Sequence, residues 1–166
     1  MALTFVRHTT PEVAKGVCYG RTDLDLATTF AAEVKAVRAA LGNRQQIFTS
    51  PLKRCVQLSG MLGNYEILDA VVEMDFGRWE MTPWDEIPRQ ELDQWADDFF
   101  DAKPHGGESV AELRDRVADA LRVLPDGAVV VTHAGIIKAV AALTGHPEGW
   151  DIKPAFGAVL TFPSAG

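Results

Sequence analysis

The chain is short of cysteine and of positive charge, and it has no long apolar run. Its two cysteines, Cys18 and Cys55, form no CxxC or CxxxxC pattern. That argues against a zinc site and fits a reducing compartment. Sixteen Lys and Arg stand against 23 Asp and Glu, a net charge of −7, and nowhere do the cations form a block. Nucleic acid and anionic membranes are therefore not expected partners. No segment has the length of a membrane span, and the N-terminus lacks a basic region followed by an apolar stretch of signal-peptide length, so the expected location is cytoplasmic. The P-loop and HExxH patterns are missing too, which leaves a nucleoside triphosphatase or a zinc protease without support.

What is present is the composition of a soluble globular chain: 47% apolar and 23% charged residues over 166 positions. This is enough for one domain with a real core. Ala2–Val6 is a short apolar run with β-favouring side chains and reads as a buried strand. Phe30, Val34, Val37 and Leu41 recur at helical spacing before a Gly42-Asn43 stop. Gln46–Thr49 reads as a second strand, with Ser50 as N-cap and Pro51 as first residue of the next helix. Tyr65–Val72 is a third strand-like run, and Gln90–Phe100 has helical spacing. Ser109 and Glu112 make a capping box for a helix carrying Leu113, Val117, Leu121 and Leu124. Ala128–Thr132 is the clearest strand, Ile136–Leu143 begins a helix, and Ala155–Phe162 reads as an edge or closing strand. Alternating strands and helices imply a three-layer α/β/α sandwich around a mostly parallel sheet. The expected organisation is a single domain over residues 1–166, with residues 74–107, rich in Trp and acidic residues, as a covering insertion.

The chemistry-bearing residues fall at the ends of these strands, where open α/β sheets place their sites. Arg7 and His8 end the first strand. Neutral imidazole is a nucleophile at physiological pH, and guanidinium holds phosphate oxygens two at a time. Arg54 falls in the first turn of a helix, whose N-terminus itself favours anions. Glu73 and Glu80 flank Phe76 and Trp79, where partial desolvation raises a carboxyl pKa toward that of a general acid. His133 ends the Ala128–Thr132 strand as His8 ends the first. His105 and His146 have no such placement and read as surface or loop residues, and Cys55 as a packing residue.

Five blocks together resemble the histidine phosphatase superfamily, also called phosphoglycerate-mutase-like. They are Val6-Arg7-His8-Thr9, Thr49–Cys55, Glu73–Glu80, Gly106–Ser109 and Val131–Gly135, in the family's order and spanning most of the chain. The resemblance implies that His8 becomes phosphohistidine, that Arg7, Arg54 and His133 surround the phosphoryl oxygens, and that Glu73 protonates the leaving alkoxide and then activates water. No metal or other cofactor is implied, since cationic side chains neutralise the charge. Within the superfamily, Cys18–Asp23, Phe76–Met81 and the Trp-rich stretch before Gly106 resemble bacterial α-ribazole phosphatases of cobalamin nucleotide-loop assembly. On that likeness the substrate is a small phosphorylated metabolite, α-ribazole phosphate. Thr9, Tyr19, Gly20, Arg21 and Trp79 join Arg7, Arg54 and His133 as substrate contacts.

The nearest rival is a phosphoglycerate mutase, which must keep its phosphohistidine dry and so needs long capping segments and extra basic residues. The covering stretch here is short and acidic, from Asp85 to Asp101, which favours hydrolysis. A broad sugar-phosphate or nucleotide phosphatase is a second rival, and a catalytically inactive binding relative a third, disfavoured because all five expected catalytic positions are filled. Cysteine-based phosphatase chemistry needs Cys-x5-Arg, but Cys18 leads to Leu24 and Cys55 to Met61. Asp23-Leu24-Asp25-Leu26-Ala27 resembles an aspartate-phosphatase motif yet ends wrongly in Ala27 and lacks a preceding apolar strand. Oligomeric state has no signature in the sequence.

Overall fold

The computed structural model describes residues 1–43 and 46–164. Five strands form one sheet: β1 (Ala2–Arg7), β2 (Ile47–Thr49), β3 (Tyr65–Ile67), β4 (Val129–Thr132) and β5 (Val159–Pro163), in the spatial order β3-β2-β4-β1-β5. The first four run parallel, and β5 is an antiparallel edge beside β1. The expected three-layer architecture is what the chain adopts. Strand period places Leu3 and Phe5 on one face, packed with Val130 and helices α4 (Val110–Val123) and α5 (Ala134–Leu143). Val6, Val129 and Val131 face the other way, against α1 (Phe30–Leu41) and α2 (Lys53–Leu62). Strands buried on both faces have no polar side to show, which is why β4 reads Val-Val-Val. Each such buried aliphatic side chain contributes about 1.5–3 kcal/mol.

Several boundaries differ from the sequence reading. Ser50 and Pro51 precede α2 without forming its first turn; the helix starts at Lys53 behind an extended Leu52. The Tyr65–Val72 run is strand only to Ile67 and then turns through a short 3-10 segment, Asp69–Val71. The helix expected over Gln90–Phe100 is α3 (Arg89–Asp97), ending before Phe99, which packs against the core, and Phe100, which stays exposed. The capping box at α4 is half made. Ser109 Oγ accepts from the Glu112 amide at 3.1 Å, while the Glu112 carboxylate pairs with Lys103 instead. No helix among the described residues is long and apolar enough to cross a membrane.

Candidate active site

Strand register alone brings the two histidines together. β1 and β4 are parallel neighbours with Arg7 opposite Thr132, so the next residues, His8 and His133, leave the sheet side by side. The His8 amide donates to Thr132 O at 3.0 Å, and the two rings lie 5.2 Å apart edge to face. Both side chains are buried. His8 Nδ1 lies 2.8 Å from Thr9 O. A carbonyl only accepts, so Nδ1 carries the proton and Nε2 keeps its lone pair. Burial, reinforced by the nearby Arg54 charge, lowers the His8 pKa to about 3. The ring is thus neutral at physiological pH, with a defined tautomer and a free nucleophilic nitrogen.

His133 is also kept neutral, its pKa pushed well below the usual value by burial first and then by His8 and Arg54. Its Nε2 lies 2.7 Å from Ser50 Oγ, which also accepts from the Leu52 amide at 3.4 Å. With the hydroxyl donating to Nε2, the proton of His133 sits on Nδ1, which is buried and has no partner. Arg54 is fully buried; its Nη2 donates to Gly20 O at 2.5 Å and its Nη1 to Thr22 O at 2.6 Å, leaving Nε unpaired. Arg7 donates from Nη1 to Pro154 O at 2.7 Å, stacks its guanidinium 4.0 Å from the Phe156 ring centre, and also keeps Nε unpaired. Thr9 Oγ1 is a fourth unpaired buried polar atom here. Unsatisfied buried polar groups cost about 1–3 kcal/mol each. Uncommitted donors on two permanent cations and a histidine, gathered around one nucleophile, fit a tetrahedral dianion.

Glu73 follows the 3-10 segment and reaches the N-terminus of α5. Its Oε1 accepts from the Met74 amide at 2.8 Å and its Oε2 from the Gly135 amide at 3.1 Å. Burial raises its pKa, and these two amides with Arg54 and Arg7 only partly offset the shift. A carboxyl held protonated more readily than usual beside a cationic cluster can deliver a proton near neutral pH. The loop backbone behind it is clamped by Arg21 Nε and Arg116 Nη2, both donating to Glu73 O, at 3.1 and 3.2 Å. Gly135 is required here: a Cβ would lie 2.2 Å from Glu73 Oε1.

His8, Arg7 and Glu73 open onto a cavity of about 730 Å³. Phe76, Trp84, Trp95, Phe99, Phe100 and Trp150 make much of its lining, joined by Tyr19, with Lys138 and Asp151 among the few polar side chains. The 74–107 segment supplies five of these aromatics. Tyr19 also stands 5.3 Å below the Arg54 guanidinium.

Of the expected substrate contacts, Thr9 and Tyr19 lie at the site. Gly20 offers only backbone, and its carbonyl holds Arg54. Arg21 is turned to the Glu73 carbonyl and to Glu108. Trp79 is a correction: it is buried away from the cavity, packed against Cys18 and Ile87, with its indole N–H donating to Glu91 at 3.1 Å. His105 lies in a loop, one of the two placements expected for it, but is fully buried and 4.9 Å from the Trp79 ring centre, with Nδ1 accepting from the Gly107 amide. Cys55 is buried with its thiol pushed up to about 12, which leaves almost no thiolate to react. Sequence reasoning missed Ser50, Arg116, Gly135 and Phe156. Ser50 and Gly135 lie inside motifs already singled out, although Ser50 was read there only as a helix cap; Arg116 and Phe156 carry no local signal, being a helix-face arginine and a loop aromatic.

The buried histidines make stability depend on acid. Unfolded, each binds a proton below about pH 6.5; folded, His8 stays neutral down to about pH 3 and His133 also resists protonation. The unfolded state therefore binds more protons below pH 6.5, and stability falls as pH drops from 6.5 toward 3, by up to about 1.4 kcal/mol per pH unit for each histidine. Glu73 works with the opposite sign, holding its proton in the fold above its ordinary value. Urea unfolding at pH 7 and pH 4.5 is expected to give a lower midpoint at pH 4.5, and the His133→Asn variant a smaller difference.

Residues 3–155 match the family model of the histidine phosphatase superfamily, branch 1. The chain is 27% identical over 158 residues to a metal-independent phosphoserine phosphatase of Arabidopsis thaliana, a match that covers 83% of this chain and 66% of that protein. It thus spans slightly less than two thirds of that relative's length. Among solved structures, TTHB049 from Thermus thermophilus superposes with a TM-score of 0.84 at 27% identity, over 97% of this chain and 92% of that one. A phosphoglycerate mutase from Thermus thermophilus does so with a TM-score of 0.83 at 26% identity and the same coverage.

Proposed function

Since the chain belongs to branch 1 of the histidine phosphatase superfamily, we propose that it is a metal-independent phosphomonoesterase working through a phosphohistidine at His8, and that its substrate is α-ribazole phosphate. The observation that carries the activity is the neutral His8 ring, its Nδ1–H held by Thr9 O and its Nε2 free among Arg7, Arg54 and His133. Nε2 attacks phosphorus while Glu73 gives its proton to the departing alkoxide oxygen. Arg7, Arg54 and His133 Nδ1–H neutralise the phosphoryl oxygens in flight. The Glu73 carboxylate then takes a proton from water as the water oxygen attacks the phosphohistidine, which releases inorganic phosphate and restores both residues.

For the substrate, support comes from the cavity wall. An alcohol attached to a flat bicyclic base would lie against Trp84, Trp95 and Phe76, as aromatic walls accept planar rings at about 4.5–7 Å. A phosphoserine phosphatase is the second reading. The cavity holds Lys138 and Asp151, opposite charges suited to a zwitterion, although Lys138 Nζ already donates to Trp150 O and Ile152 O. Among the described residues no group of three or more His, Cys, Asp or Glu side chains is placed to hold a metal ion.

The test is phosphate release in EDTA from a panel of α-ribazole phosphate, phosphoserine, phosphoglycerates, sugar phosphates and nucleotides. EDTA is expected to leave turnover unchanged, and kcat/KM is expected to be highest for α-ribazole phosphate. A preference for phosphoserine would move the substrate to the second reading. Phosphoglycerate interconversion without net release would replace hydrolase by mutase, and activity lost in EDTA but restored by a divalent ion would overturn the metal-free mechanism.

A further inference from the structure

The loop after β1 and the loop after Glu73 meet at one carboxylate. Glu80 Oε1 accepts from the Gly20 amide at 3.0 Å, the Thr22 amide at 2.9 Å and Thr22 Oγ1 at 2.7 Å. Its Oε2 accepts from the Phe76 amide at 3.1 Å and the Arg21 amide at 3.4 Å. The same short segment turns its carbonyls the other way: Gly20 O and Thr22 O are the two acceptors that hold the buried Arg54 guanidinium. One peptide group, Gly20–Arg21, does both, its C=O on Arg54 and its N–H on Glu80. Peptide dipoles thus lie between a carboxylate at their positive ends and a guanidinium at their negative ends, each charge stabilising the orientation that suits the other. Gly20 is needed for the approach, since a Cβ there would sit 1.9 Å from Met74 O.

We propose that Glu80 is a positioning residue for Arg54, acting through the Gly20–Thr22 backbone to aim the guanidinium at the phosphoryl group. The inference rests on the phosphatase reading of the site. It also removes Glu80 from the general-acid role that the sequence left open for it. Burial by itself would raise the Glu80 pKa, but the bonds from Thr22, Gly20 and Phe76 outweigh it and hold the carboxyl below the usual range. A group that stays ionised and saturated with donors gives no proton to a leaving group.

A residue that merely held the fold together would lower stability without depending on Arg54. The experiment is therefore a double-mutant cycle read by orthovanadate binding in calorimetry, which requires no turnover. Glu80→Gln keeps the shape but turns an amide NH2 toward backbone N–H donors. It is expected to weaken orthovanadate binding about 10-fold in the wild-type background, equivalent to about 1.4 kcal/mol, and less than about 2-fold when Arg54 is already Ala. Equal losses in both backgrounds, or no loss in a folded Glu80→Gln protein, would overturn the inference. Should Glu80→Gln fail to fold, Thr22→Val removes a single one of the five donors. The expected loss is then roughly 2- to 3-fold, again only with Arg54 present, and equal losses in the two backgrounds again overturn it. A wild-type protein that does not bind orthovanadate would instead remove the phosphatase reading, and this inference with it.

Discussion

His8→Ala is expected to abolish turnover, a loss on the order of 10⁴-fold or more. No other group can accept the phosphoryl. His133 is neutral too, but its Nε2 is engaged with Ser50, and with that hydroxyl donating its Nδ1 carries the proton. Cys55, 3.6 Å from His133, is a thiol held far above physiological pH. Water attacking directly would lack a base matched to the first step, since Glu73 must then be the acid. The substitution removes a buried polar ring that meets one carbonyl and two aromatic neighbours, His133 and Phe156, so the protein is expected to remain folded. Acid-labile phosphate on the wild-type chain, trapped by rapid quench and absent from the variant, checks the covalent step. Hydrolysis above background in a folded His8→Ala protein would eliminate it.

Glu73→Gln is expected to separate substrates by their leaving groups. General-acid catalysis contributes about 10²- to 10⁴-fold where the alkoxide needs a proton, so an alkyl phosphate loses that much, whereas p-nitrophenyl phosphate, whose phenolate leaves unaided, loses far less in its first step. Comparable losses for both would argue against the acid role. The pH profile of kcat/KM carries the same information. The acid limb belongs to His8, near pH 3, where protonation removes the nucleophile. The alkaline limb belongs to Glu73, whose raised pKa keeps the acid form available to higher pH than an ordinary carboxyl. Glu73→Gln should lose the alkaline limb and keep the acid one. Gly135→Ala offers an independent check, because its Cβ would displace the Glu73 carboxylate and should reproduce the leaving-group selectivity with every titrating group intact.

Arg7, His8, Arg54 and His133 were readable before the fold because each sits at a strand end or helix start, where local pattern is strong, whereas Glu73 lies in a loop after a 3-10 segment and was singled out by its motif. An apolar run stopping at Arg7-His8, and another stopping at His133, mark a buried strand delivering a polar side chain. The three-layer sandwich followed from the same alternation. Trp79 and His105 defeated sequence reasoning because nothing in the local pattern distinguishes an aromatic that lines a cavity from one that packs beneath it. Trp79 points under the loop and meets His105, while Phe76, Trp84 and Trp95 point into the cavity. Glu73 and Glu80 are equally plausible acids by composition. What separates them is the number of donors each accepts, and four of the five donors to Glu80 come from Gly20–Thr22, far away along the chain.

By itself, then, the sequence determined the strand and helix order, the histidine at the end of the first strand, and the cations that accompany it, because hydrophobic period and residue chemistry are local properties. The tertiary structure alone decided what sets Glu73 and Glu80 physically apart, which histidine nitrogen is free, how Ser50, Gly135 and Arg116 serve residues remote in sequence, and which aromatics line the cavity. Those are matters of burial and hydrogen-bond partnership, and both depend on what another segment brings to the same place.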